Sequence, residues 1–155
     1  MNQEEKFSVA LLFSKDVTPD DLKEYESVLD EYDMEVDEVV QSPRETEPIK
    51  EALFDLFMRK FSLVLTFGGL GLEDDDIVPE ATSSLIDKKF PGLENAIMYA
   101  LMEKGTYSIV NRGVAGLFHD TIVVNLPSKR FLVKQILYTI LPLVKQGLKK
   151  ISEKE

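Results

Sequence analysis

Short segments of nearly continuous apolar residues alternate along the chain with segments of helical periodicity. Three apolar segments, FSVALLF (Phe7–Phe13), SLVLT (62–66) and TIVVN (121–125), are typical of strands buried on both faces of a mostly parallel sheet. Two further strands are predicted at 34–40 and 107–110. The pattern therefore predicts a sheet whose strands are separated along the sequence by other elements.

The intervening segments carry apolar residues at the spacing of one helix face. Thr18 is a capping residue type, and Pro19 follows it at the position where a helix best accepts proline. Ser128 is likewise placed to cap the last helix, whose N-terminus favours negative charge. The predicted helices run from Thr18 to about Tyr32, onward from about Thr46, and over 79–86, 92–104 and 128–149.

Strands that alternate with helices through short connections are expected to pair in parallel, with helices on both faces of the sheet. The prediction is an α/β three-layer sandwich with a mostly parallel central sheet. At 155 residues, the chain has the size of one ordinary domain, so we expect a single domain over 1–155.

Composition narrows the classes of function. The net charge of −10 disfavours a nucleic-acid partner, because long-range electrostatics would repel a polyanion. No apolar stretch approaches the roughly 20 residues that span a bilayer, and the N-terminus is acidic where a secretory signal would be basic. We therefore expect a cytoplasmic protein without a membrane partner. Cysteine is absent and His119 is the one histidine, which excludes thiolate and multi-histidine metal sites.

The segment TFGGLGLEDDD (66–76) directly follows a predicted buried strand, the place where open α/β folds bind ligands. Its glycines at 68, 69 and 71 would let backbone amides surround phosphate oxygens, although a flexible turn explains the same pattern. Asp74, Asp75 and Asp76 are oxygen ligands that suit Mg²⁺, although an acidic run is also a common solvated cap. The segment alone leaves these alternatives open.

Four separated motifs resemble one family. LTFGGLGLEDDDIVPEAT (65–82) is similar to the LTTGGTG-xxxRD-xTPEAT signature of the molybdopterin-binding domains of molybdenum-cofactor biosynthesis, the MoaB/MogA family. FPG (90–92), NRGVAG (111–116) and VNLP (124–127) resemble its PG, SRxxAG and NLPG segments, in the same order. The likeness covers roughly 63–148 and implies a homo-oligomer, a trimer or hexamer, that binds the pterin dithiolene phosphate molybdopterin.

The resemblance also implies roles for individual residues. Asp76 corresponds to the catalytic carboxylate, and Asp76 with Asp75 would hold Mg²⁺ in members that use ATP to adenylate molybdopterin. The glycines would cradle phosphate, Glu80 would support the loop, Asn111 and Arg112 would line the pterin pocket, and Pro127 and Ser128 would form its opposite rim. The implied substrate-binding residues are Thr66, Gly68, Gly69, Gly71, Glu80, Asn111, Arg112, Ala115, Gly116, Asn125, Pro127 and Ser128.

Several positions depart from the family pattern. Phe67 and Leu70 replace threonines, so two hydroxyls that could bond a substrate are lost, although Phe67 could instead stack on a pterin. Asp75 stands where an arginine is expected, which places an anion beside a phosphate-bearing ligand. The segment VVQSPR (39–44) has no carboxylate where the family carries an aspartate pair.

Two functions follow from these observations. One is an enzyme that adenylates molybdopterin with Mg-ATP, and the other is a pterin- or nucleotide-binding protein without chemistry. A likeness of GGLG and Asp75-Asp76-Ile77 to the related competence-damage-inducible (CinA) domain widens the candidate ligands to other nucleotides.

Four other side chains have two interpretations each. His119 could act as a base near neutral pH or lie in a surface turn. Lys129, Arg130 and Lys134, at the start of the last helix, could offset charge near a bound phosphate or be ordinary solvated lysines and arginines.

Overall fold

A computed structural model describes residues 6–105 and 110–154. Within these residues the strands are Phe7–Phe13 (β1), Met34–Gln41 (β2), Leu63–Phe67 (β3), Lys88–Lys89 (β4), Ala115–Phe118 (β5) and Thr121–Leu126 (β6). The helices are Pro19–Asp30 (α1), Thr46–Met58 (α2), Val78–Ser83 (α3), Pro91–Met102 (α4) and Arg130–Ser152 (α5). Among the helices of these residues, none is long and apolar enough to cross a membrane.

The strands form a single sheet in the order β2-β1-β3-β6-β5-β4. The first four of these strands are parallel, whereas β5 pairs with β6, and β4 with β5, in the antiparallel sense. In the register of the central pair, Phe67 is opposite Leu126. The carboxyl ends of β3 and β6 therefore lie side by side, and the segments that follow them leave the sheet at the same edge.

Alternate residues of the strands supply two cores, one on each face of the sheet. Leu11 of β1 packs into a core with α1, α4 and α5, whereas its neighbour Leu12 packs into a core with α2 and α3. This alternation is the period of two that a strand imposes on its side chains. The predicted three-layer α/β sandwich with a mostly parallel central sheet is therefore confirmed.

One buried polar side chain crosses the interior between the sheet and α3. Asn125 of β6 is fully buried, and its Nδ2 donates to Thr66 Oγ1 at 2.9 Å and to Thr82 Oγ1 at 3.1 Å. Its Oδ1 accepts from the Val114 N–H at 3.0 Å. Asn125 thus connects β3, α3 and the segment before β5, and every polar atom of its amide has a partner.

The predicted boundaries of β1, β2, β3 and β6 are correct to within one residue at each end. The sequence did not predict β4 and β5, which are two and four residues long. The predicted strand 107–110 lies mostly outside the described residues, and its described member, Val110, is not in a strand. The expectation that Ser128 caps the last helix is wrong, because Lys129 occupies the capping position without a side-chain bond.

The buried amide of Asn125 predicts a large stability effect. Asn125→Ala leaves the Val114 N–H without its acceptor inside the protein, so the free energy of unfolding should fall by about 2–4 kcal/mol. The measurement is urea denaturation followed by circular dichroism. Asn95→Ala is the matched control, because Asn95 is exposed in α4 and alanine is the better helix former. Equal losses in the two variants would contradict the structural role of Asn125.

Candidate functional site

A glycine-rich turn leaves the carboxyl end of β3. Gly68 and Gly69 have φ angles of +92° and +76°, a region that glycine adopts readily and other residues rarely. A Cβ atom on Gly69 would lie 2.5 Å from Val78 Cγ2, so the turn packs too closely against α3 for a side chain. The Gly68 N–H donates to the Leu126 carbonyl at 2.8 Å. This bond continues the pairing of β3 and β6 into the turn.

A groove of about 370 Å³ opens between this turn and the segment that links β6 to α5. Seven of the residues predicted from the sequence line it, namely Gly68, Gly69, Gly71, Asp76, Asn111, Pro127 and Ser128. Sequence reasoning missed or left open the other polar lining residues, Arg44, Glu73 and Lys129. Leu101, Val110 and Leu132 add apolar surface. The groove therefore combines backbone amides, charged groups and an apolar wall.

Asp76 is the most buried acidic group of the groove, with 8% of its surface exposed. Its Oδ1 accepts a hydrogen bond from Arg44 Nη2, and its Oδ2 accepts from the Glu73 N–H at 2.9 Å. The same Arg44 nitrogen lies 3.3 Å from Asp75 Oδ1. Arg44 comes from the segment after β2, so the loops that follow two parallel strands meet here. The two predicted metal ligands, Asp75 and Asp76, are paired with a guanidinium.

Arg112 organises the glycine-rich turn from outside the groove. Its Nε donates to the Gly71 carbonyl at 2.9 Å, and its Nη2 donates to the Asp76 carbonyl at 2.7 Å. Its Nη1 donates to Glu80 Oε2 at 2.5 Å. A planar guanidinium can satisfy three acceptors in this way because its donors are fixed in one fork. Arg112 thus holds both ends of the 71–76 segment against α3.

Asn111 lines the groove, and its two side-chain polar atoms have few hydrogen-bond partners among the described residues. Its Nδ2 makes a long contact of 3.7 Å with Met98 Sδ. Its Oδ1 is buried and has no hydrogen-bond partner in the described part of the chain.

The remaining predicted residues lie beside or beneath the groove. Thr66 and Asn125 are buried under the turn and hydrogen-bond each other. Ala115 and Gly116 lie in β5, and the Ala115 N–H donates to Glu94 Oε2 at 2.9 Å. A Cβ atom on Gly116 would lie 2.5 Å from the Lys88 carbonyl. The close approach of β4 thus gives Gly116 a packing role.

Two of the positions that depart from the family pattern, Phe67 and Leu70, are core positions in this chain. Phe67 is 2% exposed and stacks on Phe13 and Tyr25, with ring centroids 4.4 Å and 5.1 Å apart. Leu70 is 5% exposed and packs with α2 and α3. Phe67 is therefore occupied by aromatic neighbours of its own chain and is not free to stack on a ligand.

Of the three basic residues near the N-terminus of α5, two form ion pairs with α1 and one lines the groove. Arg130 Nε lies 3.2 Å from Asp21 Oδ1, and Lys134 Nζ lies 2.7 Å from Glu24 Oε1, so both pair with α1. Lys129 is exposed and lines the groove. Lys129 is thus the member of this group that is placed to meet a ligand.

A larger cavity, of about 470 Å³, lies at the opposite edge of the sheet. Its lining is mainly apolar and includes Phe57, Phe61 and Leu148. His119 is also there, in the turn between β5 and β6, with its side chain 77% exposed and its Nδ1 3.7 Å from Asp87 Oδ2. The groove is the better candidate site despite its smaller volume, because the carboxyl ends of the parallel strands, the glycine turn and the paired charges converge there.

The description "Probable molybdopterin binding domain" belongs to a family model that matches residues 16–146. Two curated relatives are 30% identical: the molybdenum cofactor synthesis protein cinnamon of Drosophila melanogaster over 72% of this chain, and the molybdopterin adenylyltransferase of Helicobacter pylori over 53%. The match spans 19% of the first relative and 47% of the second. The chain thus spans less than half the length of either protein.

Solved structures show the same architecture. A molybdopterin biosynthesis protein from Mycobacterium abscessus superposes with a TM-score of 0.87 at 27% identity, over 96% of this chain and 97% of that one. The protein CinA from Thermoplasma acidophilum superposes with a TM-score of 0.63 at 13% identity, over 90% and 98% of the two chains. The second likeness concerns the fold alone.

The ion pair of Arg112 predicts a titration signature. The hydrogen bond from Arg112 holds the pKa of the Glu80 carboxyl below its ordinary value. Because the folded-state pKa is lowered, the stabilisation is present above the unfolded-state pKa and is lost as pH falls through the folded-state value. In Arg112→Gln, the pKa of Glu80 should rise toward its ordinary value in a carboxyl NMR titration. Lys134 lowers the pKa of Glu24, which should stay low in this variant. An unmoved Glu80 would contradict the pairing.

Proposed function

The chain belongs to the family of molybdopterin-binding domains, and on this premise we propose that it binds molybdopterin in the groove beside the glycine-rich turn, as a protein of molybdenum-cofactor biosynthesis. The observation that carries the proposal is the convergence, in one groove, of the glycine turn and the Ser128-Lys129 segment at the start of α5. A terminal phosphate and a pterin ring need different surroundings, and the groove offers both.

The phosphate is proposed to lie between the glycine turn and the N-terminus of α5. Gly69 and Gly71 line the groove, and successive main-chain amides of such a turn can surround an anion. α5 is 23 residues long, and the partial positive charge at its N-terminus favours an anion. Ser128 contributes a hydroxyl and Lys129 an ammonium group on the same side. Each of these groups favours the negatively charged end of molybdopterin.

The pterin ring is proposed to lie toward Asn111 and the apolar wall. The Asn111 side chain lines this end of the groove, and Leu101, Val110 and Leu132 offer a surface for the flat ring. Pro127 forms the opposite rim. For Thr66, Glu80, Arg112, Ala115, Gly116 and Asn125 we propose a supporting role, through the contacts that fix the turn and the strands beneath it.

Adenylyl transfer is a second candidate function, favoured by the likeness to proteins named molybdopterin adenylyltransferase. It would require ATP in the same groove, and the family resemblance assigns Mg²⁺ to Asp75 and Asp76. Both oxygens of Asp76 already accept hydrogen bonds, and Arg44 contacts both carboxylates. The residues present therefore do not fit a magnesium ion, and binding without transfer is the function that this geometry favours. The catalytic role of Asp76 stays a prediction.

The homo-oligomeric state and the cytoplasmic location stay proposals as well. Tyr99 and Met102 lie about one turn apart on α4 and are 73% and 62% exposed, and we propose that this part of α4 contributes to an interface between subunits. Mass measurement under native conditions distinguishes a trimer or hexamer from a monomer.

Calorimetric titration with molybdopterin tests the proposed function. We expect the wild-type protein to bind, and Lys129→Ala to bind about tenfold more weakly, the size expected for one charge-assisted hydrogen bond. Lys150→Ala is the matched control, because Lys150 is an exposed lysine at the far end of α5, roughly 30 Å away at 1.5 Å per residue. Absence of binding by the wild-type protein, or equal weakening in both variants, would refute the proposed site.

The same protein incubated with molybdopterin, ATP and Mg²⁺ tests the second candidate. Release of pyrophosphate together with an adenylated pterin would establish an adenylyltransferase. Binding of molybdopterin without release of pyrophosphate would support the binding function.

A further inference from the structure

The Asp75–Asp76 pair is the position at which a divalent cation would be expected, and a side chain of this chain occupies it. Arg44 Nη2 lies 3.3 Å from Asp75 Oδ1 and also donates to Asp76 Oδ1. The other oxygen of Asp76 accepts from the Glu73 N–H at 2.9 Å. A metal ion bound to Asp76 would have to share an oxygen with one of these donors or displace it.

Binding of a metal ion at Asp76 is unfavourable for two reasons. Asp76 is 8% exposed, so an incoming ion would have to lose much of its hydration shell to reach the carboxylate, which Mg²⁺ does reluctantly. The guanidinium of Arg44 also places a positive charge against both carboxylates, in a rigid planar fork. A divalent ion placed beside it would be repelled. The arrangement therefore opposes metal binding both sterically and electrostatically.

The backbone holds Arg44 at this position. The Ser42 N–H donates to the Phe13 carbonyl at 2.9 Å, which ties the segment after β2 to the end of β1. Pro43 follows, and its ring fixes one backbone dihedral angle. The side chain of Arg44 lines one edge of the groove and contacts Asp75 and Asp76 at the end of the glycine-rich turn.

We propose that Arg44 takes the place of a divalent cation in this groove. It neutralises Asp75 and Asp76 from within the chain and excludes Mg²⁺ and similar ions from them. Where the family resemblance predicts carboxylates after strand two and an arginine at position 75, this chain carries the arginine at 44 and the carboxylate at 75. One consequence, which rests on the proposed function, is that molybdopterin binding requires no divalent ion.

Mn²⁺ titration followed by electron paramagnetic resonance tests the exclusion directly, without any pterin. We expect weak binding by the wild-type protein and at least tenfold tighter binding by Arg44→Ala. Asp76→Asn, added to Arg44→Ala, should remove the gain. Arg59→Ala is the matched control, because Arg59 also pairs with two acids, Glu38 at 3.0 Å and Asp55 at 3.3 Å. It changes the net charge by the same amount and should gain no site.

Two results would overturn the proposal. One is tight Mn²⁺ binding by the wild-type protein that is lost in Asp76→Asn, a measurement that does not depend on the folding of the Arg44 variant. The other is an equal gain in Arg44→Ala and Arg59→Ala, which would show that the gain comes from the change in net charge alone.

For protein that binds molybdopterin, the affinity for molybdopterin should be the same in EDTA and in Mg²⁺. Protein that binds no molybdopterin would refute the proposed function and leave the Mn²⁺ result standing.

Discussion

The amide of Asn125 is the contact on which the geometry of the groove depends. It lies in the interior where the central strands β3 and β6 meet α3, and its hydrogen bonds to Thr66 and Thr82 fix α3 relative to the sheet. α3 in turn carries Glu80, which receives the guanidinium of Arg112. The glycine-rich turn is therefore positioned through a chain of contacts that begins inside the protein. A buried amide suits this role because each of its polar atoms must be satisfied, which selects one arrangement of its neighbours.

Two arginines complete the turn by different means. Arg112 binds two backbone carbonyls and one carboxylate, so it determines the path of the main chain. Arg44 binds the carboxylates of Asp75 and Asp76, so it affects the charge at the rim of the groove. The contacts of Arg112 fix the shape of the turn, and the contacts of Arg44 place a positive charge beside Asp75 and Asp76. The path of the turn and the charge at the rim of the groove thus depend on different residues.

Much of the fold could be predicted from the sequence, because β1, β3 and β6 are apolar on both faces and the helices carry clear periodicity. β5 was missed because it has four residues, one of them Gly116, and depends on pairing with β6. The sequence predicted a ligand site after β3 because the glycines follow a buried strand, and a groove opens beside that turn in the structure. Arg44 was missed because its partners are 31 and 32 residues away. The only available signal was that loops after parallel strands share one edge of the sheet.

The pairing of Phe67 with Leu126 and the bond from the Gly68 N–H to the Leu126 carbonyl connect both walls of the groove to neighbouring strands. At the point where the two walls leave the sheet, the distance between them equals the spacing of adjacent strands, which is about 4.8 Å in any sheet. The width of the groove at that end is determined by the backbone and does not depend on which side chains line the rim. Substitutions such as those at positions 44 and 75 can therefore change the sign of the charge at the rim while the width of the groove at the sheet stays the same. Related proteins could in this way acquire different ligands and keep the same fold.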